Sequence, residues 1–112
     1  SLPIVVCILN NGYLGMVRQW QDLFWNKRYS CTCIEAQPDF KRLAEAYGAL
    51  GLLVTEKDEI EPALREALAG EGPAVIDFRT SAESNVFPMV PAGQEITEMI
   101  GGQAKGKGRR PK

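Results

Sequence analysis

The hydrophobic positions of this chain fall into short segments of two alternating kinds. Three segments are of strand length: the apolar runs Leu2 to Leu9 and Leu50 to Thr55, and Pro73 to Arg79, which is apolar except for Asp77 and Arg79. Runs without polar alternation are typical of strands buried on both faces, and such strands occur in parallel sheets. The sequence therefore predicts a parallel sheet in which the first strand is buried on both faces.

The segments between the runs have apolar residues at helical spacing. Helices are predicted from Leu14 to about Asn26, from Pro38-Asp39 to a left-handed Gly48, and from about Asp58 to Gly70. Strands that alternate with helices predict an α/β fold in which helices cover both faces of the sheet. The predicted apolar stripes are Leu14, Val17, Trp20, Gln21 and Phe24 in the first helix, Phe40, Leu43, Ala44 and Tyr47 in the second, and Ile60, Leu64, Ala67 and Leu68 in the third.

The last third of the chain is less regular. Asn85 to Gly93 contains two prolines and is predicted to be an ordered loop, and Glu95 to Ile100 one helical turn. We expect residues 1–100 to form part of one domain and the Gly-rich, basic residues 101–112 to be a disordered tail. Because the chain opens directly on a buried type of strand, we also expect a preceding part of the domain.

Composition excludes several classes of protein. A formal net charge of −1 over 112 residues favours neither nucleic acid nor an anionic membrane as a partner. No apolar segment approaches the roughly 20 residues of a membrane span. Cys7 is predicted to be a buried apolar residue. Cys31 and Cys33 are two possible zinc ligands, but the chain has no histidine and no second cysteine pair, so a zinc site is improbable. A reducing compartment, the cytoplasm of a bacterium or an organelle of a eukaryote, is expected.

Candidate chemistry lies where the first strand ends, at Asn10-Asn11-Gly12. Ligands of parallel α/β sheets bind beyond the carboxyl ends of the strands. An amide oxygen is a suitable ligand for Mg²⁺ or Ca²⁺, so one asparagine is predicted to hold the turn and the other to face an ion. The same residues are also ordinary turn formers, and a turn without a ligand is the more frequent outcome for such a sequence.

Three separated segments carry a resemblance to a known family. Ile8 to Gln21 with Arg28-Tyr29-Ser30, Pro38 to Gly48, and Asn85 to Pro91 closely resemble the catalytic subunit of acetohydroxyacid synthase, also called acetolactate synthase. The resemblance covers residues 2 to 100. It implies the carboxyl half of a thiamine-diphosphate-binding domain, of which only the closing Asn-Asn half of the cofactor motif is present.

The resemblance implies specific site residues. Asn11 and the Tyr13 carbonyl would bind Mg²⁺, which bridges the cofactor's diphosphate. The implied cofactor-binding residues are Asn11, Gly12, Tyr13, Leu14, Gly15 and Met16. Met16 and Trp20 would line the substrate channel, although a tryptophan at this helical position is more often simply a core residue. No catalytic side chain is implied within this chain, and Arg18 and Gln19 are interpreted as ordinary exposed helix residues.

The implied reaction joins two 2-oxoacids. Pyruvate loses CO2 and the remaining unit condenses with a second 2-oxoacid to give 2-acetolactate or 2-aceto-2-hydroxybutanoate, in branched-chain amino-acid synthesis. The family also implies FAD, bound mainly by another domain, a homodimer or homotetramer, and a regulatory small subunit. Two alternatives stay open: another thiamine-diphosphate 2-oxoacid decarboxylase or carboligase, and a truncated, non-catalytic interaction module. The isolated 112 residues are predicted to be inactive because the opening motif is absent from them.

Overall fold

The computed structural model describes residues 2–101, and their centre is a sheet of three parallel strands. The strands are β1 (Val5–Asn10), β2 (Leu50–Val54) and β3 (Ala74–Arg79), in the order β1-β3-β2. Ala74 pairs in register with both Val5 and Leu50, so the strands start level and end at one common edge. The predicted parallel sheet is confirmed.

Three helices connect or follow the strands: α1 (Gly15–Phe24), α2 (Phe40–Ala46) and α3 (Ile60–Ala69), the last preceded by a 3₁₀ turn at Lys57–Glu59. Asp39 is the N-cap of α2 and its carboxylate accepts from the Arg42 amide at 3.0 Å. Pro38 therefore precedes the helix. The sequence had predicted it in the first turn, which is wrong. Gly48 has φ +74°, which confirms the predicted left-handed ending.

The two faces of the sheet are covered by different helices. On one face α3 packs against alternate residues of β3, and the core comprises Val54, Ala63, Ala67, Ala74, Ile76 and Phe78. On the other face α2 lies so close to β2 that a Cβ at Gly51 would overlap the Lys41 carbonyl oxygen. Helices therefore cover both faces, as predicted for this α/β class.

Strand β1 is more exposed than the sequence predicts. It pairs with β3 along one side, and within residues 2–101 no strand pairs with its other side. Leu9 is 75% exposed, and Ile4, Val6 and Cys7 are exposed as well. The predictions of a strand buried on both faces and of a buried Cys7 are wrong for this chain, because the apolar run faces surfaces that no described element covers.

Two of the predicted helix stripes need correction. Tyr47 is 85% exposed because α2 ends at Ala46, and Leu68 is 73% exposed. Ala63 and Ala67 make the close contact of α3 with the sheet instead. Leu68 lies about 100° around the helix from Ala67 and therefore points away from the strands.

The segment after β3 is irregular, as predicted, with one 3₁₀ turn at Ile96–Glu98. An isolated antiparallel bridge joins Met89 to Ile100, and the Phe87–Pro88 peptide bond is cis. Within residues 2–101 no helix has the length and apolar character to cross a bilayer. The predicted basic tail lies, beyond Gly101, outside the described residues, so the domain division at residue 100 stays a prediction.

Candidate functional site

The turn that follows β1 is built by two asparagine side chains. The Gly12 amide donates to Asn10 Oδ1 and the Tyr13 amide donates to Asn11 Oδ1, each at 3.0 Å. Gly12 adopts φ +71°, a conformation that glycine accepts without a steric penalty. Both asparagines therefore brace the turn, whereas the sequence had predicted this task for only one of them.

The oxygens of this turn suit a hard cation. Asn11 Oδ1 accepts one hydrogen bond and keeps a second lone pair. The Tyr13 carbonyl accepts no backbone hydrogen bond within residues 2–101. Magnesium takes few protein oxygens and completes its shell with phosphates and water, so this donor pair fits it. The described residues hold no group of three or more histidine, cysteine, aspartate or glutamate side chains that could bind a metal.

The first residues of α1 leave room beside the turn. A Cβ at Gly15 would lie 3.1 Å from Asn11 Nδ2, so glycine there lets the asparagine keep its position. The N-cap residue Leu14 supplies no side-chain hydrogen bond to the helix. Amides in the first turn of a helix lack intrahelical partners and favour anions. The turn thus places oxygens that suit a cation beside a helix end that favours an anion.

Two buried polar atoms that lack partners within residues 2–101 lie on one face of the sheet, at the end of β1 and in β3. Asn10 Nδ2 and Asp77 Oδ1 are both buried without a hydrogen-bond partner in the described part of the chain. The register pairs Ile8 with Asp77 and Asn10 with Arg79, so these side chains share one face of the sheet. The other Asp77 oxygen pairs with Arg79 at 3.1 Å. A buried donor and a buried acceptor on one face match an ordered water or a polar group from outside residues 2–101.

Helix α1 is oriented opposite to the prediction. Its apolar residues Leu14, Met16, Val17, Trp20 and Phe24 are about half exposed, whereas Arg18 and Gln19 are buried. The assignment of Arg18 and Gln19 as ordinary exposed residues is wrong. The alternative of Trp20 as a core residue does not hold, since its side chain is 46% exposed in this chain, and its role in a substrate channel stays a prediction. Polar contacts to two loops hold α1 in this orientation.

Arg18 connects the turn after β1 to the loop after α1. Its guanidinium carbon lies 5.0 Å from the Tyr13 ring centroid and 4.5 Å from that of Tyr29. The side chain is 8% exposed, and its Nε has no partner among the described residues. The guanidinium thus makes cation–π contacts with both rings. Arg18 therefore links the residue with the free carbonyl, Tyr13, to the segment around Tyr29.

Asp22 joins the same loop to the segment after β3. The Tyr29 hydroxyl donates to Asp22 at 2.9 Å and Asn85 Nδ2 donates to its other oxygen at 2.8 Å. These two hydrogen bonds, the one from Asn85 foremost, hold the pKa of Asp22 below its ordinary value. Burial, together with the hydrogen bond to Asp22, raises the pKa of Tyr29. The carboxylate is thus ionised and paired at neutral pH.

The exposed face of α1 forms one wall of a cavity of about 300 Å³. Trp20 and Phe24 line it from the helix, and Met89 to Ala92 line it from the irregular segment. The lining is mostly apolar. Met16, the other predicted channel residue, does not line this cavity but lies one helical turn before Trp20, with its side chain exposed.

The structure brings the predicted site residues together in part. Asn11 to Met16 form one continuous turn and helix start, and Trp20 follows on the same helix. Sequence reasoning missed Arg18, Gln19 and Asp22. Their spacing was a usable signal, because polar residues at positions i, i+1 and i+4 of a helix share one side.

Comparisons with known proteins identify the family of this chain. Residues 1–78 match the model of the thiamine pyrophosphate enzyme, C-terminal TPP binding domain. The chain is 43% identical over 100 residues to acetolactate synthase isozyme 2 large subunit of Escherichia coli (strain K12), covering 89% of this chain and 18% of that protein. It is 41% identical over 102 residues to acetolactate synthase of Arthrospira platensis, covering 90% of this chain and 18% of that protein.

The acetolactate synthase large subunit of Porphyra purpurea is 40% identical over 102 residues, which cover 90% of this chain and 17% of that protein. The chain thus spans about 18% of the length of the curated relatives that it matches. The family resemblance seen in the sequence is confirmed. Because the matched residues 1–78 include the turn after β1 and most of β3, the chain belongs to the thiamine pyrophosphate enzymes, within their C-terminal TPP-binding domain.

Proposed function

We propose that the full-length protein containing this chain is a thiamine-diphosphate- and Mg²⁺-dependent carboligase. It condenses pyruvate with a second 2-oxoacid, with loss of CO2, to 2-acetolactate or 2-aceto-2-hydroxybutanoate. One observation carries the proposal. In a chain about 40% identical to acetolactate synthases, the turn after β1 presents two hard oxygen donors beside a helix N-terminus.

In this proposal the chain contributes one side of the cofactor site. Asn11 Oδ1 and the Tyr13 carbonyl would hold Mg²⁺, and backbone amides from Gly12 to Met16 would bind the diphosphate. The positive end of α1 favours that anion. Thiamine diphosphate, when bound, supplies the decarboxylation and carbon-bonding chemistry, while the protein orients the substrates and excludes water.

The second substrate is recognised beyond the turn. Met16 and Trp20 line its channel, and the exposed indole faces the mostly apolar cavity opposite Met89 to Ala92. Pyruvate and 2-oxobutanoate differ by one methylene, which an apolar wall distinguishes by the contact area it offers. This supports a role for Trp20 in choosing the second 2-oxoacid.

Further parts of the proposal depend on the resemblance alone. They are FAD bound mainly outside this chain, assembly as a homodimer or homotetramer, a regulatory small subunit, and a cytoplasmic or organellar location. Exposed apolar surface on β1 and α1 is in keeping with additional covering elements in the assembled protein.

The decisive experiment uses the purified full-length protein, stripped of metal and cofactor. We expect 2-acetolactate to form from pyruvate only after thiamine diphosphate and Mg²⁺ are restored. Asn11→Ala should raise the Mg²⁺ concentration for half-maximal activity and weaken cofactor binding measured by calorimetry. The matched control is Asn26→Gly, at an exposed, left-handed position after α1.

The possible results separate the proposal from its rivals. Decarboxylation of another 2-oxoacid without 2-acetolactate would assign the protein to a different thiamine-diphosphate enzyme. No cofactor binding by the full-length protein would favour the non-catalytic interaction module. Equal Mg²⁺ dependence in Asn11→Ala and the wild type would refute the assigned metal ligand.

A further inference from the structure

The buried side of α1 holds the segment after β3 through one amide side chain. Gln19 Nε2 donates to the Val86 carbonyl at 2.8 Å, and the Val86 amide donates to Gln19 Oε1 at 2.9 Å. Gln19 is only 3% exposed. The same Nε2 lies 3.5 Å from Met89 Sδ. We call this reciprocal pair of hydrogen bonds between Gln19 and Val86 the clasp.

A second contact supports the clasp. Asp22 is three residues after Gln19, so both side chains lie on the same side of α1. Asp22 accepts from Asn85 Nδ2 at 2.8 Å, beside the residue that Gln19 binds. Two adjacent residues of the irregular segment are therefore held by one helical turn. Two attachment points fix the orientation of this segment as well as its distance from α1.

The clasp lies three residues before the far wall of the cavity. Trp20 and Phe24 form the α1 wall, and Met89 to Ala92, a few residues after Val86, form the opposite wall. Trp20 directly follows Gln19, so the buried amide and the half-exposed indole belong to the same helical turn. A displacement of Val86 would move Met89 relative to Trp20 and change the width of the cavity.

We propose that Gln19 is a positioning residue for substrate choice: its clasp on Val86 sets the cavity width and thereby the preference for the longer side chain of the second 2-oxoacid. This inference rests on the proposed carboligase function. Apolar walls discriminate one methylene by about 10 to 200-fold at best, and only when they fit closely. Packed contacts lose much of their attraction when a wall retreats by less than 1 Å.

The test replaces the amide by an apolar side chain of similar size, Gln19→Met, in the full-length protein. With pyruvate and 2-oxobutanoate competing at fixed concentrations, we expect the ratio of 2-aceto-2-hydroxybutanoate to 2-acetolactate to fall about threefold or more. Turnover of pyruvate alone should stay within about twofold of the wild type, because the variant leaves the cofactor turn intact. Amide hydrogen exchange across residues 85–91 should accelerate.

Gln21→Met is the matched control. Gln21 is on the same helix, but it bonds Thr32 and Ser30 in the other loop, at 3.0 and 2.9 Å. The Gln21→Met substitution should leave both the product ratio and the amide hydrogen exchange of residues 85–91 unchanged. If Gln19→Met fails to fold, Asn85→Ala removes the supporting contact alone and should lower the ratio in the same direction.

Two results would overturn the inference. One is an unchanged product ratio in Gln19→Met or, where that variant does not fold, in Asn85→Ala. The other is an equal fall in Gln21→Met, which would indicate a general effect of disturbing α1. A wild-type protein that makes no 2-acetolactate would refute both the proposed function and the claim about substrate choice. Amide hydrogen exchange of residues 85–91 in Gln19→Met would still show whether the clasp holds this segment.

Discussion

Replacing Gly51 by alanine tests how closely α2 is seated on the sheet. Gly51 is a buried residue of β2, and its α-carbon faces the start of α2. An added Cβ would overlap the Lys41 carbonyl oxygen and lie 3.0 Å from the Lys41 carbonyl carbon and 3.1 Å from its Cα. All three atoms are helix backbone, so the clash cannot be relieved by turning a flexible side chain.

The size of the effect follows from two opposing terms. Forcing extra volume into a well-packed contact destabilises by about 1 to 3 kcal/mol. Alanine in place of glycine restricts the unfolded chain and returns about 0.4 to 1 kcal/mol. Because a whole helix must move, we place the first term at the upper end. The expected net loss is about 2 kcal/mol, roughly a thirtyfold fall in the folded-to-unfolded ratio.

The assay is urea unfolding followed by circular dichroism. The control is Gly72→Ala, since a Cβ there meets no atom within 4 Å and its φ does not require glycine. The control should change the free energy of unfolding by less than about 0.5 kcal/mol. Equal stability of the Gly51 and Gly72 variants would show that α2 is not pressed against β2, and the reasoning from backbone contact would fail.

Four other predictions follow. Arg18→Leu removes both ring contacts and should loosen Tyr13, so the Mg²⁺ concentration for half-maximal activity should rise. An unchanged value would contradict the role of Arg18 in holding Tyr13 in place. Asp22 has a lowered pKa, so its stabilisation is present above the unfolded pKa of about 3.9 and is lost as pH falls through the lower folded value. The thermal unfolding temperature should therefore fall less steeply with decreasing pH below about pH 4 in Asp22→Asn than in the wild type. Trp20→Leu should leave pyruvate turnover largely intact while weakening preference for 2-oxobutanoate, and unchanged product ratios would count against it. The isolated 112 residues should form no 2-acetolactate. Detectable product would refute this prediction.

Local sequence determined the elements of this protein and the place of the Asn10-Asn11 turn. The three strands and three helices lie within a few residues of their predicted bounds. Apolar runs, helical spacing and the Asp39 and Gly48 caps act over a few neighbouring residues, so they can be recognised without the fold. The Asn10-Asn11 turn is local in the same way, because each asparagine bonds an amide two residues ahead.

Only the tertiary structure decided which side of each element is covered. The sequence predicted exposed Arg18 and Gln19 on α1, but both are buried, and Gln19 is held there by a residue far along the chain. Val86 is 67 residues from Gln19 and Asn85 is 63 from Asp22, so no local pattern contains these pairs. Likewise, β1 has the composition of a buried strand but lies at an edge of the described sheet. Composition determines which surfaces favour burial, whereas the arrangement of the elements determines which of them are covered.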